Sequence, residues 1–255
     1  MTDPFRNQLK TRLSLGKPCL GAWLTSGSSI NAEAMASLGF DWLCVDMEHG
    51  SNDVSQVEAV FQAVERHGVS PMVRIGNLDG DLARRLLDLG AVGIIVAAVE
   101  DAGAFESFAR FCLYTPDGHR GVGLSRCNTW GDDFDDYREN FRPVLVPMIE
   151  TRRGVEAATK LATLSEVDAL FLGPYDLSSE LGCTGNFKSA DFVAAVDSVR
   201  KACSGKAFGI HQVEPDLDEL RERIREGFTM LAYGTDVVAM RHALDGVRQI
   251  GGNAE

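Results

Sequence analysis

The sequence has no run of lysine or arginine long enough to follow a line of phosphates. Its 255 residues carry 37 Asp and Glu against 25 Lys and Arg, a formal net charge of −12. Nucleic acid and anionic membrane surfaces are therefore poor partners. A small anionic substrate is still allowed, because a bound cation and one or two arginines can reverse the local sign. No apolar stretch approaches the roughly 20 residues that cross a bilayer. The polar start MTDPFRNQLKTRLSLGK has no apolar core of a secretory signal. The cysteines Cys19, Cys44, Cys112, Cys127, Cys183 and Cys203 are scattered, with no Cys-x-x-Cys pair. Without secretion there is little reason to pair them, and Cys19 and Cys44 read as small core residues in strands. The expected setting is a reduced cytoplasm. A linker, a low-complexity tract and an obvious internal repeat are also missing, so one domain over 1–255 is expected.

What is present is a repeating order of short apolar runs and longer amphipathic segments. The apolar runs cover 19–25, 41–47, 70–75, 91–97, 143–149, 168–173, 206–211 and 228–233. Most lack polar alternation, as strands buried on both faces of a parallel sheet do. Helical patterns lie between them over 31–38, 53–67, 79–89, 101–111, 151–161, 190–202, 217–226 and 237–250, with an extra N-terminal helix near 4–14. With 45% hydrophobic residues there is enough apolar side chain for a large core. Eight strand-then-helix units predict an α/β fold, a TIM (β/α)8 barrel. The longest irregular piece is 113–142, containing TPDGHRGVG and the acidic GDDFDDY. Loops of that length are usually functional or cover something.

A TIM barrel builds its site from polar residues at the C-terminal strand ends. Here those ends carry Asp46, Glu48 and His49 after the second run, and Arg74 in the third. Glu150 ends the fifth, Gly173-Pro174-Tyr175-Asp176 the sixth, and His211-Gln212 the seventh. Glu150 and Asp176 offer hard oxygen donors for a divalent cation, or each caps the helix after its strand. His49 is a candidate acid/base whose tautomer Asp46 could fix, or a structural histidine. Arg74, in an apolar strand, needs a carboxylate or an enolate as partner, and an ion pair with Glu48 is the plainer reading. Backbone N–H groups at the start of the helix after Gly173 could take a substrate carboxylate. Lys10, Lys17, Lys160, Lys188, Lys201 and Lys206 all lie away from the C-terminal strand ends. A Schiff-base mechanism needs a buried lysine there, so a metal-dependent route to an enolate is favoured.

Ordered along the chain, the segments GAWLTSGSS, GFDWLCVDMEHGSND, PMVRIG, GAVGIIVAAVE, RGVG, PMIET and FLGPYDLSSELG form a specific set. On these the chain resembles the HpcH/HpaI aldolase family, the metal-dependent class II pyruvate aldolases. The resemblance runs from Gly21 to about Val247. It implies reversible cleavage of a 4-hydroxy-2-oxo acid into pyruvate and an aldehyde through a metal-stabilised enolate. It further implies Glu150 and Asp176 as ligands of Mg²⁺, Mn²⁺ or Co²⁺, and His49 as acid/base with Asp46 as its partner. Arg74 should then stabilise the enolate oxygen, Trp23 should line the site, and the amides of Tyr175 and Asp176 should receive the carboxylate. Trimers or hexamers with the last helix exchanged between neighbours are expected. Two positions depart from the family pattern: Met148 stands where glutamine is common, and Tyr175 where a small residue is common. Both bear on the substrate. Oxaloacetate decarboxylation, a lyase acting on acyl-CoA thioesters and non-catalytic binding of a 2-oxo acid are the rival readings, the thioester one disfavoured by the scarcity of basic residues.

Overall fold

The computed structural model describes residues 7–247. Eight parallel strands close on themselves in chain order. They are β1 (Cys19–Leu24), β2 (Trp42–Asp46), β3 (Ser70–Ile75), β4 (Gly93–Val96), β5 (Val144–Ile149), β6 (Ala169–Leu172), β7 (Ala207–Gln212) and β8 (Met230–Tyr233). Each sits within one of the expected apolar runs or overshoots it by a single residue. Nearly every strand residue is buried, because one face meets the barrel interior and the other meets the helices. The architecture is the TIM barrel that the alternating pattern predicts.

The helices that follow the strands begin on caps readable in the sequence. Ser28 caps α2 (Ser29–Ala36), and Asp53 with Gln56 forms a capping box on α3 (Val54–Glu65). Asp79 caps α4 (Gly80–Asp88), and Asp101 caps α5 (Ala102–Cys112). After α6 (Phe134–Asn140), Thr151 caps α7 (Arg152–Thr163), Gly173 opens α8 (Pro174–Glu180), and Ser189 caps α9 (Ala190–Ala202). Asp216 caps α10 (Leu217–Arg225), and Thr235 caps α11 (Asp236–Ala243). The extra N-terminal helix is α1 (Gln8–Ser14). Its Leu9 and Leu13 join Cys19, Trp42, Cys44 and Met72 in the apolar interior of the barrel. Lys10 pairs with Asp168, just ahead of β6, at 2.7 Å. Thus α1 plugs the N-terminal end of the barrel and leaves the other end open for chemistry. The expected stretches 4–6 and 248–250 of the two terminal helices lie outside the described residues; α11 ends at Ala243, a turn follows, and Val247 is helical again.

One expectation is corrected. The segment 113–142 is not irregular throughout. It holds a 3₁₀ segment, Arg126–Gly131, and α6 (Phe134–Asn140). Asp135 and Asp136 stand in the first turn of α6, where carboxylates favour the helix dipole. Tyr137 turns inward and stacks on Phe141 at 4.6 Å. Arg126 donates to the carbonyl of Leu89 at the C-terminal end of α4, and Asn7 donates to the carbonyl of Asn140. These contacts anchor the segment at the barrel end that α1 closes, so it covers the bottom and not the mouth.

Close packing inside the barrel depends on Gly21. A β-carbon there would lie 2.1 Å from the Trp42 ring on the adjacent strand. Gly21→Ala should therefore lower stability by about 1–3 kcal/mol through overpacking. Urea unfolding should show a lower midpoint with an unchanged slope; an unmoved midpoint would show that the indole has room to yield.

Candidate active site

The parallel register of β2 and β3 sets Asp46 beside Arg74. Arg74 Nε donates to Asp46 Oδ1 at 2.9 Å, and its Nη2 reaches Oδ2 to complete a fork. Nη1 lies 3.0 Å from Glu48 Oε2. Both Asp46 and Arg74 are buried. Burial alone would raise the Asp46 pKa, but the Arg74 hydrogen bonds and charge hold it below its ordinary value. Burial would likewise lower the Arg74 pKa, and Asp46 and Glu48 keep it raised. Trp23 lies directly beneath. Its Nε1 donates to Asp46 Oδ2 at 3.2 Å, and the guanidinium carbon of Arg74 sits 5.1 Å from its ring centroid. Trp23 is fully buried, so it supports the floor rather than presenting an open surface.

The expected pairing of Asp46 with the His49 ring is not formed. Asp46 spends its carboxylate on Arg74, Trp23 and the backbone N–H groups of Glu48 and His49. The His49 ring is 63% exposed, with Nε2 3.9 Å from Glu48 Oε2. The physical reason is geometric: a fork on a parallel neighbour satisfies both buried carboxylate oxygens, whereas a ring three residues along the same loop points into solvent. Asp46 touches His49 through its backbone alone.

Glu150 directly follows β5, and Asp176 lies in the first turn of α8, which follows the neighbouring strand β6. The capping alternative fails for Glu150, because Thr151 is the cap of α7 and accepts from Gly154 N–H. The Glu150 carboxylate is buried, and its Oε2 accepts from Ala98 N–H at 2.8 Å. Its Oε1 faces Gly173, where a β-carbon would come within 2.3 Å. Only glycine leaves that carboxylate its place. Burial pushes the Glu150 pKa up to about 7, and the Glu48 and Asp176 charges add to the rise. Asp176 lies exposed in the first turn of α8, after Gly173 at the cap and Pro174 at the first helical position. Among the described residues no group of three or more Cys, His, Asp or Glu side chains is placed to hold a metal ion. Two carboxylates alone would leave positions on a cation open to water and substrate. Met148 is buried in the apolar barrel interior below Glu150, and Tyr175 is 43% exposed with its edge on Phe187.

A family model described as HpcH/HpaI aldolase/citrate lyase matches residues 20–243. The chain belongs to that family. A hydroxypyruvate/pyruvate aldolase from Deinococcus radiodurans is 35% identical over 247 residues, 94% of this chain and 88% of that one. A 4-hydroxy-2-oxo-heptane-1,7-dioate aldolase from Escherichia coli is 34% identical over 248 residues, 94% and 93% of the two chains. A solved HpcH/HpaI aldolase/citrate lyase family protein from Burkholderia cenocepacia superposes with a TM-score of 0.87 at 32% identity, covering 95% of this chain and 99% of that one. The protein is thus a lyase of the aldolase type.

Several residues of this aldolase went unassigned in the sequence. Asn52 donates to the carbonyl of Asp46 at 2.6 Å and to that of Thr25 at 3.3 Å, tying the ends of β1 and β2 together. It lies inside the DMEHGSND segment, but nothing in its type announces a clamp. Asp236 accepts from Thr25, Ser26 and Asn31, which fastens the loop after β1 to α11. Among the described residues no helix is long and apolar enough to cross a membrane.

His211, left open in the sequence, is a packed residue. Its ring stacks on Trp23 at 4.5 Å, and its Nε2 lies 3.2 Å from the carbonyl of Gly234. Burial lowers its pKa from 6.5 to about 4. The unfolded chain binds this proton below its ordinary pKa near 6.5, whereas the folded chain resists until about 4. More protons are bound unfolded within that window, so stability falls as pH drops through it. His211→Asn should remove this contribution, giving a stability–pH slope shallower by up to about 1.4 kcal/mol per unit. Urea midpoints of both proteins from about pH 5 to 7 measure it, and parallel curves would count against a buried neutral His211.

Proposed function

We propose that the protein reversibly cleaves a 4-hydroxy-2-oxo acid into pyruvate, or a close 2-oxo acid, and an aldehyde. The observation that carries this is the buried Glu150 carboxylate, set in a space only glycine leaves free and raised in pKa by burial and by neighbouring carboxylates. Such a group gains from a cation. Glu150 and Asp176 would hold Mg²⁺, Mn²⁺ or Co²⁺, which supplies Lewis-acid stabilisation of charge on the 2-oxo oxygen. The first-turn N–H groups of Tyr175 and Asp176, free of intrahelical partners, receive the substrate carboxylate. His49, exposed at the mouth, takes the proton of the 4-hydroxyl. The C3–C4 bond breaks, the aldehyde leaves, and the electron pair remains as an enolate until C3 is protonated. Arg74, fixed by Asp46, faces that developing negative charge. Trp23, Met148, Gly173 and Pro174 shape the floor and one wall. The reading extends to a single barrel domain in the cytoplasm that assembles as a trimer or hexamer. Exposed Met240, Leu244 and Val247 at the α11 end are apolar surface suited to a subunit contact.

Metal addition should raise the thermal midpoint of the chelated wild-type protein, since a ligand at about 100 times its Kd adds about 2.7 kcal/mol. The same addition should leave Glu150→Gln and Asp176→Asn unmoved. Aldehyde-dependent consumption of pyruvate should follow the metal, and activity that survives exhaustive chelation would contradict the ligand assignment. Carbon dioxide release from oxaloacetate without any aldehyde chemistry would favour decarboxylation instead. Arg74→Lys keeps the charge but loses the fork, and should slow pyruvate methyl-proton exchange by about a hundredfold; an unchanged exchange rate would remove Arg74 from the reaction.

A further inference from the structure

Arg74 faces two carboxylates. Its Nε and Nη2 fork on Asp46, and its Nη1 lies 3.0 Å from Glu48 Oε2. This third approach is an ion pair without hydrogen-bond alignment: among the described residues, the buried Glu48 Oε2 has no hydrogen-bond partner. The same oxygen lies 3.9 Å from Nε2 of the His49 ring. That gap is about 1 Å longer than a hydrogen bond. Hydrogen bonds between catalytic groups are often long without substrate and tighten when it binds. An unmet buried acceptor is costly, which favours the closure.

The two sides of the gap differ in freedom. The backbone that carries Glu48 is held, because Met47 N–H donates to the carbonyl of Arg74 at 3.0 Å and Glu48 N–H donates to Asp46 Oδ1 at 3.0 Å. The Glu48 stem rests against the loop after β3, where a β-carbon on Gly76 would lie 3.3 Å from Glu48 Cγ. The His49 ring is exposed and makes no hydrogen bond among the described residues, so a turn of the ring closes the gap. Asp46 cannot serve in its place, since Arg74, Trp23 and two backbone N–H groups occupy both of its oxygens. Charge points the same way. One guanidinium against the Asp46 and Glu48 carboxylates leaves a formal charge of about −1, which a protonated imidazole at Glu48 would cancel.

We infer that Glu48 is the partner of His49, accepting from Nε2–H and leaving Nδ1 to act as the base. This rests on the pyruvate aldolase reading and assigns the support of its acid/base. Glu48 acts through His49 as a positioning residue. In cleavage, Nδ1 takes the 4-hydroxyl proton, and the electron pair of that O–H bond forms the aldehyde C=O. The C3–C4 pair passes to the enolate, and the imidazolium so formed stands beside the Glu48 carboxylate. Arg74, paired with the same carboxylate, then ties the base to the group that faces the enolate.

The test uses the full chain loaded with Mg²⁺ and 4-hydroxy-2-oxopentanoate, whose cleavage gives pyruvate and acetaldehyde. Glu48→Gln keeps the shape and removes the charge. It should lower kcat about tenfold with KM within about twofold, a part of the about 10²–10⁴-fold that a positioned acid or base contributes. In the His49→Gln background the same change should cost no more than about twofold, because the two side chains act as a unit. Glu48→Asp keeps the charge at a shorter reach and should lose less; it enters the same cycle if the glutamine variant does not fold. An unchanged kcat, a change in KM alone, or a loss equally large without the His49 imidazole would overturn the inference, the last by placing Glu48 with Arg74 alone. Methyl-proton exchange on pyruvate is run beside these. A wild-type protein that neither cleaves nor exchanges overturns the pyruvate reading itself, which separates the two failures.

Discussion

The fork of Arg74 on Asp46 is the interaction on which the open end of the barrel depends. Removing two charges from water carries a penalty of several kcal/mol per ion, which attraction offsets only when the geometry is good and the remaining oxygens are satisfied. Asp46 meets that condition with two guanidinium bonds, the Trp23 indole and two backbone N–H groups. Taking away one partner would leave the other charged, buried and alone. The fork also holds the loop that carries Glu48 and His49, and Asn52 binds the Asp46 carbonyl from behind. Trp23 beneath and His211 stacked upon it form a rigid platform. The side chain at the centre of the site is thus placed by strand register, while the acid/base candidate His49 stands exposed to solvent.

The distribution of charge gives this platform its chemistry. An acidic chain with an acidic mouth would seem hostile to a 2-oxo acid. The resolution lies in separation. Glu150 is buried with its pKa raised and Asp176 is exposed nearby, and in the proposed reading they would hold the cation that takes the anionic head. Arg74 on β3 brings its guanidinium to the same end of the barrel, already paired with Asp46 and Glu48.

Much of the fold was legible in the sequence because strands buried on both faces leave continuous apolar runs. The strand ends then named Arg74, Glu150 and Asp176 without any contact information. The choice of partner for Asp46 was not legible. Sequence proximity suggested His49, but proximity along a loop says little when a parallel neighbour brings Arg74 directly alongside. The helix within 113–142 was missed because its acidic, glycine-flanked sequence looks like a loop, and only the packing of Tyr137 and Phe141 reveals an inward face. The side of the barrel on which that segment lies could not be read from length. Asn52 and the Ala98 amide act through backbone geometry, which composition does not record.

The central claim is that the Asp46 carboxylate serves Arg74 and not the His49 ring. Double-mutant cycles on pyruvate methyl-proton exchange test it directly, using Asp46→Asn with Arg74→Lys and Asp46→Asn with His49→Gln. The account predicts coupling of about 1–3 kcal/mol between Asp46 and Arg74, and near-additive losses, within about 0.5 kcal/mol, for Asp46 and His49. Strong coupling of Asp46 to His49, with Asp46 and Arg74 independent, would contradict it.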